Sequence, residues 1–432
     1  MCQSCGNLSR DNHDGRLGPE RVTIADGSDD QRKLQREEKQ LQRAWPAPDL
    51  FSYAIEVCGD TNRDGTADYV VSDPMCAGAG TAWVISGVDH QVIKALSCSS
   101  TAHEYGLAIS YLGALRVGDD PSLAIASRDR FPQRSVVTYH VMSISHGRCL
   151  FEIRNLAHGP TGIYPPAAPP LITVQDVDGD GWNDIAIGLA SGGSHGNGEV
   201  RVYSGKDGQY VKSIDAPVGV ASFGESMCPP QSYLGPGISS SLVLARSDDN
   251  RTSVIVHCEL VSGAVSSIGS IGAPPSMLYQ SIVNIPGHDG VLIGQMASGG
   301  LGQVVRWEQG AGQAVCGPPK GTGWGFAACV SAAKCAEGQL VCAVTAPGSA
   351  STRSPLVVCD AESGTMITDV RIEPIGSSWF GMSCKFLASD SARCGILLVG
   401  QVNIESNGTE PGRLWVIDPL TGATLKCVSR PN

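Results

Sequence analysis

The chain has 432 residues, a formal net charge of −11 and a hydrophobic share of 42%, so it can fill a core but lacks the clustered Lys and Arg that phosphate recognition requires. Gly 53 and Pro 26 interrupt it about once every five or six residues, which excludes long helices and suits short strands joined by turns. No run of about 18 apolar residues offers a spanning helix, and with an aromatic share of only 6% the core falls to Val, Ile, Leu and Ala on pleated surfaces.

Residues 1–48 read as a charged leader, helical or disordered, because the stretch DDQRKLQREEKQLQR (29–43) holds only Leu34 and Leu41 as large apolar groups. One apolar pair seven residues apart is too little for a coiled coil. Cys2 and Cys5 form a single C-x-x-C; with no second pair and no βαβ context, neither a zinc site nor a redox motif follows. The first residues have no basic start followed by an apolar stretch, so no signal peptide is visible. Sixteen cysteines in a Gly-rich acidic chain nevertheless suit an oxidising compartment, and the expectation is an extracellular, periplasmic or cell-surface protein.

From residue 49 to 432 the chain repeats. A β-branched strand ending in a turn recurs as TAWVISG (81–87), SVVTYHV (135–141), EVRVYSG (199–205), SVIVHCE (253–259), QVVRWEQ (303–309), PLVVCDA (355–361) and RLWVIDP (413–419). Its spacing of roughly 50–65 residues is that of a four-stranded blade with loops. In the first unit DYVVSD (68–73), TAWVIS and QVIKALSC (91–98) read as successive strands of a meander. Unit starts carry Tyr105-Gly106, Phe223-Gly224, Trp324-Gly325-Phe326 and Trp379-Phe380-Gly381, with Gly allowing close blade packing. Four short strands cannot bury both faces alone, so seven units are expected to close into an all-β ring, a seven-bladed β-propeller.

Two loops carry metal-type spacing. Asp60-Thr61-Asn62-Arg63-Asp64-Gly65-Thr66-Ala67-Asp68 and Asp176-Val177-Asp178-Gly179-Asp180-Gly181-Trp182-Asn183-Asp184 both read D-x-[DN]-x-D-G-x-x-D. Oxygen side chains at positions 1, 3, 5 and 9 can wrap a hard cation, Gly at position 6 permits the turn, and the main-chain carbonyl of position 7, Thr66 or Trp182, completes the shell. Position 12 is Val71 or Ile187 rather than the Glu of an EF-hand, and each loop runs into a strand rather than a helix. A metal-free Asx-rich turn uses the same residue types and stands as the other reading.

The pattern GDTNRDGTADYVVSDP and QDVDGDGWNDIAIGLA, each followed by G-x-[VA]-x-V-[YI]-S-G, resembles the FG-GAP repeats of integrin α-subunit propellers. The resemblance is strong in the first and third units. Elsewhere the Asp loop has decayed to segments such as VGDDPS (117–122), GPGISSS (235–241) and ASDSARCG (388–395), and the sixth unit keeps only Ala346-Pro347 of the GAP element. It implies a seven-bladed propeller with two Ca2+ ions, held by Asp60, Asn62, Asp64, Thr66 and Asp68 and by Asp176, Asp178, Asp180, Trp182 and Asp184. It also implies ligand binding on the opposite face, and extends to fold and metal sites only.

Function at this level is a calcium-stabilised, noncatalytic binding or adhesion scaffold for a protein or glycan; the alternative is an extracellular enzyme, hydrolase or lyase, or a lectin on the same ring. Gly192-Gly193-Ser194-His195-Gly196 matches G-x-S-x-G, but a strand rather than a helix follows it, so a loop is the expectation. The His residues show no paired metal spacing. Cys384 and Cys394, and similarly Cys329 and Cys342, are placed so that cross-strand disulfides within units fit the geometry; free cysteines as small buried groups are the other reading, and Cys258 and Cys359 occupy the strand register of Ser86 and Ser204.

Overall fold

The computed structural model describes residues 49–431 except 98–103, 132–133, 158–167, 229–239, 248–250, 275–276, 289, 298–301, 309, 318–328, 347–354, 372–377, 389–393 and 404–410. The leader with Cys2 and Cys5, the unit start at Trp324-Gly325-Phe326, and Pro347 lie outside the described residues.

Strand formation follows the β-branched repeats. The seven anchors become Thr81–Ile85, Arg134–Ser143, Glu199–Tyr203, Thr252–Glu259, Gln303–Glu308, Pro355–Asp360 and Arg413–Ile417. Each is the third strand of a four-stranded antiparallel sheet whose strands pair in chain order, and seven such sheets are present. The one helical turn among the described residues is the 3-10 segment Cys76–Gly78. Those residues include no helix long and apolar enough to cross a membrane.

Burial explains why each sheet reads as it does. The second strands Asp68–Asp73, Asp184–Leu189, Val291–Ala297, Leu340–Thr345 and Ile396–Asn403 are buried at every position, because both faces of the sheet meet a neighbour there. Fourth strands such as Tyr210–Asp215 and Thr424–Ser429 face solvent along most of their length. Seven apolar clusters form, one at each blade boundary, including Phe223, Val243 and Val256 of blade 4 with Val200 and Val202 of blade 3. First strands of consecutive blades touch in turn, and that of blade 7, Ser378–Leu387, touches that of blade 1, Ile55–Cys58, closing the ring.

Closure uses no exchanged strand, since all four strands of every blade are consecutive in the chain. Residues 49–53 instead fill the seam between blades 7 and 1. The amide of Asn403 donates to the Asp49 carbonyl at 2.8 Å, the Gln401 amide to Ser52 Oγ at 3.0 Å, and Ser52 Oγ to the Arg413 carbonyl at 2.7 Å. On its other side the Ser52 amide donates to the Ser72 carbonyl of blade 1 at 2.9 Å.

A small-residue device recurs at these seams. Gly106, Gly224 and Gly381 have φ of 105°, 89° and 84°, each just after a fully buried aromatic ring, Tyr105, Phe223 or Phe380. A Cβ on Gly106 would lie 2.6 Å from Ser72 Cβ, and one on Gly381 would lie 2.8 Å from Thr345 Cβ, both on the second strand of the preceding blade. Ser72 Oγ and Thr345 Oγ1 each donate to the abutting Gly carbonyl at 2.7 Å. Phe51-Ser52, with Ser52 at φ 70°, is the same element for blade 1, and it packs on Gly400 of blade 7.

Candidate metal centre

The two Asp loops join the first and second strands of blades 1 and 3, running into Asp68–Asp73 and Asp184–Leu189. Their hydrogen bonds match position by position. The position 1 carboxylate accepts the amides of positions 5 and 6: Asp60 from Asp64 at 3.1 Å and Gly65 at 2.8 Å, Asp176 from Asp180 at 3.1 Å and Gly181 at 2.8 Å. Position 5 accepts the amide of position 7, from Thr66 to Asp64 at 3.0 Å and from Trp182 to Asp180 at 2.9 Å. Position 9 ties the loop to its blade: Asp68 accepts from Thr61 and Gly87, and Asp184 accepts from Val177 at 2.8 Å and Gly205 at 3.2 Å. Gly65 and Gly181, at φ 91° and 88°, make the sharp turn that side chains with a Cβ resist.

The loops differ in what their carboxylates do next. In blade 3, oxygens of Asp176, Asp178 and Asp184 lie within 4.8 Å of one another. Asp184 is fully buried, and desolvation, reinforced by the charges of Asp178 and Asp176, raises its carboxyl to about 6. The Gly181 amide leads the hydrogen bonds that hold the half-buried Asp176 below the usual carboxylate range. Asp180 stands aside, with Oδ2 accepting from Ser204 Oγ at 3.4 Å and lying 4.0 Å from Lys206 Nζ. In blade 1, Asn62 Nδ2 donates to Asp64 Oδ2 at 2.7 Å and Ser86 Oγ adds a second bond at 3.2 Å. The Asn62 contact is the main reason Asp64 sits below the usual range. No trio of carboxylates converges there among the described residues.

An all-oxygen set of three converging carboxylates on one tight loop fits a hard divalent cation and not a thiophilic one. Both loops are also complete as Asx-type turns by hydrogen bonding alone. The donor chemistry of blade 3 therefore fits a cation better than that of blade 1, where the position 3 amide has turned inward on its neighbour.

Beside the blade 3 loop, on the same end of the meanders, lies a cleft of about 370 Å³ between blades 2 and 3, lined in part by Leu115, Asp120, His146, Phe151, Trp182 and Lys206. The Arg116 guanidinium sits 5.6 Å from the Trp182 ring centroid, and His146 Nδ1 is 3.0 Å from Asp120 Oδ2. The cleft was not foreseen from sequence, because its lining comes from four loops and strands of two blades.

At the cleft Ser145 Oγ is also 2.9 Å from His146 Nδ1, and among the described residues two further Ser–His–carboxylate groupings occur away from it. In blade 2, Ser127 Oγ is 2.8 Å from His140 Nε2, and His140 Nδ1 is 3.0 Å from Glu152 Oε1. These residues lie on three successive strands, which hides them from motif reading; Cys149 Sγ joins His140 and Glu152 within 4.8 Å. Ser127 and His140 are 1% and 2% exposed, so the grouping is a buried hydrogen-bonded relay with its serine closed to a substrate. In blade 3, Ser194 Oγ is 2.8 Å from His195 Nδ1 and 3.1 Å from Asp215 Oδ2. Its G-x-S-x-G segment is an exposed turn between Asp184–Leu189 and Glu199–Tyr203 with no helix after it, as expected, and so forms no nucleophile elbow.

The disulfide expectation needs correction. Cys394 bonds Cys335, not Cys384, and Cys329 faces Cys384 rather than Cys342. The reason is topological: these side chains point off their sheets into the boundary with the next blade, so their partners are not strand neighbours.

No protein-family model matches the chain, and no curated protein matches it. Among solved structures it is similar to one described as the structure of Dos1 propeller, at a TM-score of 0.44 and 13% identity, over 84% of this chain and 79% of that one. The order of the sheets and the closed circuit of contacts between them make this chain a seven-bladed β-propeller.

Proposed function

We propose that this propeller is a noncatalytic binding scaffold, stabilised by calcium, that recognises a protein or glycan through its inter-strand loops outside the cytosol. The convergence of Asp176, Asp178 and Asp184 carries the reading. Three like charges crowded on one loop repel, and a divalent cation relieves both that repulsion and the desolvation of Asp184. The resemblance of both loops to FG-GAP repeats supports calcium as the ion, with Asp180 and the Trp182 carbonyl as further donors and the blade 1 loop as a weaker second site. A scaffold fits better than an enzyme because none of the three Ser–His–carboxylate groupings among the described residues, Ser145–His146–Asp120 at the cleft included, sets an accessible serine on one ring nitrogen of a histidine whose other nitrogen a carboxylate holds. The cleft beside Trp182, on the end that carries the metal loops rather than the opposite face that the FG-GAP resemblance implies, offers an aromatic wall and polar groups of both signs, a lining suited to a sugar or a peptide side chain.

A melting series in chelator, calcium and magnesium tests the ion. Calcium at about 100 times its dissociation constant adds about 2.7 kcal/mol by mass action, a midpoint gain of several degrees. Magnesium, which demands a small octahedral shell, should need a much higher concentration. Identical melting in all three would make these loops ordinary turns. Protein and glycan arrays screened with and without calcium then test recognition.

A further inference from the structure

Blades 5 to 7 lack the D-x-[DN]-x-D-G pattern, and their boundaries hold cysteines instead. The Cys335–Cys394 disulfide joins the end of the first strand of blade 6, Cys329–Lys334, to the residues before the second strand of blade 7. Two further pairs face each other across blade boundaries. Cys316 Sγ, on the last strand of blade 5 (Ala311–Cys316), lies 3.1 Å from Cys359 Sγ on the third strand of blade 6. Cys329 Sγ lies 3.3 Å from Cys384 Sγ on the first strand of blade 7. These separations are shorter than the ~3.5–4.0 Å at which even the smaller carbon atoms rest without a bond. A side-chain shift of about 1 Å would bring each pair to the bonded distance of about 2.05 Å.

In the closed ring each pair shares one sulfur–sulfur hydrogen bond, and the bonds from Cys316 and Cys342 hold the Cys359 thiol below its ordinary value.

We propose that Cys316–Cys359 and Cys329–Cys384 are disulfide-forming pairs which, with Cys335–Cys394, clamp blades 5, 6 and 7 into one covalently linked part of the ring. The oxidant is a low-molecular-weight disulfide of the glutathione class. The Cys359 thiolate attacks one sulfur of the oxidant, forming a mixed disulfide and expelling one glutathione thiolate. Cys316 gives its proton to water and attacks the Cys359 sulfur, expelling the second. Two protein thiols are thereby oxidised and one small disulfide is reduced to two thiols; Cys329 and Cys384 react in the same way. Because Cys316, Cys359 and Cys384 are buried in the finished ring, the exchange belongs to folding, before the blades close. The bridges span 43 and 55 residues of sequence, long enough to remove substantial entropy from the unfolded chain.

The test uses the full chain, unfolded and refolded in a mixture of oxidised and reduced glutathione. Free thiols are then alkylated under denaturing conditions and the protein is digested and mapped by mass spectrometry without reduction. The expected result is three linked peptide pairs, Cys316 with Cys359, Cys329 with Cys384, and Cys335 with Cys394. Alkylated Cys316, Cys359, Cys329 and Cys384 beside an intact Cys335–Cys394 bridge, or a link from Cys359 to Cys342, overturns the proposal. As a second readout, the double variants Cys316→Ser with Cys359→Ser, and Cys329→Ser with Cys384→Ser, should each lower the melting midpoint of oxidised protein by about 5 °C and change that of reduced protein far less. An equal fall in both states would mean that the sulfurs only pack, and would overturn it as well.

Discussion

At Gly381 the chain meets two separate demands, a left-handed backbone and contact with the next sheet. Its φ of 84° disfavours any Cβ, and a Cβ there would sit 2.8 Å from Thr345 Cβ, which lies on a buried strand that cannot retreat. Gly338, at φ 86° in a turn of blade 6, has open space around the same direction. Gly381→Ala should therefore cost about 2–4 kcal/mol, strain plus overpacking, and Gly338→Ala about 1 kcal/mol, strain alone. Urea unfolding of the two variants measures this, and equal losses would remove the seam as the reason for glycine. The aromatic–glycine starts could be read from sequence because both halves of the device are adjacent in the chain. Phe51-Ser52 could not: a serine replaces the glycine, and its hydroxyl is satisfied by Gln401 and Arg413, far along the sequence. The sulfur pairs were hidden for the same reason, since a cysteine in a strand says nothing of the sheet it faces.

The turn elements were legible where their bonds are local. Apart from the ties to Ser86, Gly87, Ser204 and Gly205, and from Asn183 to Ala114 and Leu115 of blade 2, the hydrogen bonds that shape the two Asp loops close within nine residues, so the D-x-[DN]-x-D-G-x-x-D spacing specifies turn and strand entry. What spacing could not specify was convergence. Asn62 is engaged by Asp64, whereas Asp178 has no side-chain amide to offer and joins Asp176 and Asp184 in one cluster. With one more negative charge, the blade 3 loop should hold calcium roughly tenfold more tightly than the blade 1 loop. Calorimetric titration of metal-free protein should resolve a tight and a weak step, the tight one lost in Asp180→Ala and the weak one in Asp64→Ala. Loss of the same step in both variants would refute the assignment of sites to loops.

Each sheet of the propeller buries its two faces against two different neighbours, so ring closure is expected to govern the stability of all seven blades. Among the described residues no blade has a core of its own; the seven apolar clusters all lie between blades. Removing residues 376–432 would uncover two clusters at once, exposing Phe51, Ile55 and Trp83 of blade 1 and Val341, Ala343 and Val358 of blade 6 to water. It would also strip residues 49–53 of their partners Asn403, Gln401 and Arg413. The damage should not stay within blade 7, since a ring opened at one seam leaves two unpaired faces of apolar side chains, and these favour association over a stable monomer. A milder variant separates closure from mere loss of mass. Phe51 is fully buried at the seam, so Phe51→Ala should cost about 3–5 kcal/mol, comparable to truncating a ring at the centre of an ordinary core, although the residue lies beside the first strand of the propeller. Thermal melting with size-exclusion chromatography tests both. The shortened chain should lose the parent's cooperative transition and its monomeric profile, and Phe51→Ala should keep the profile while melting earlier. A shortened chain with the parent's midpoint and a compact monomeric profile would mean that six blades stand without the seventh, and that the contacts of residues 49–53 do not hold the ring shut.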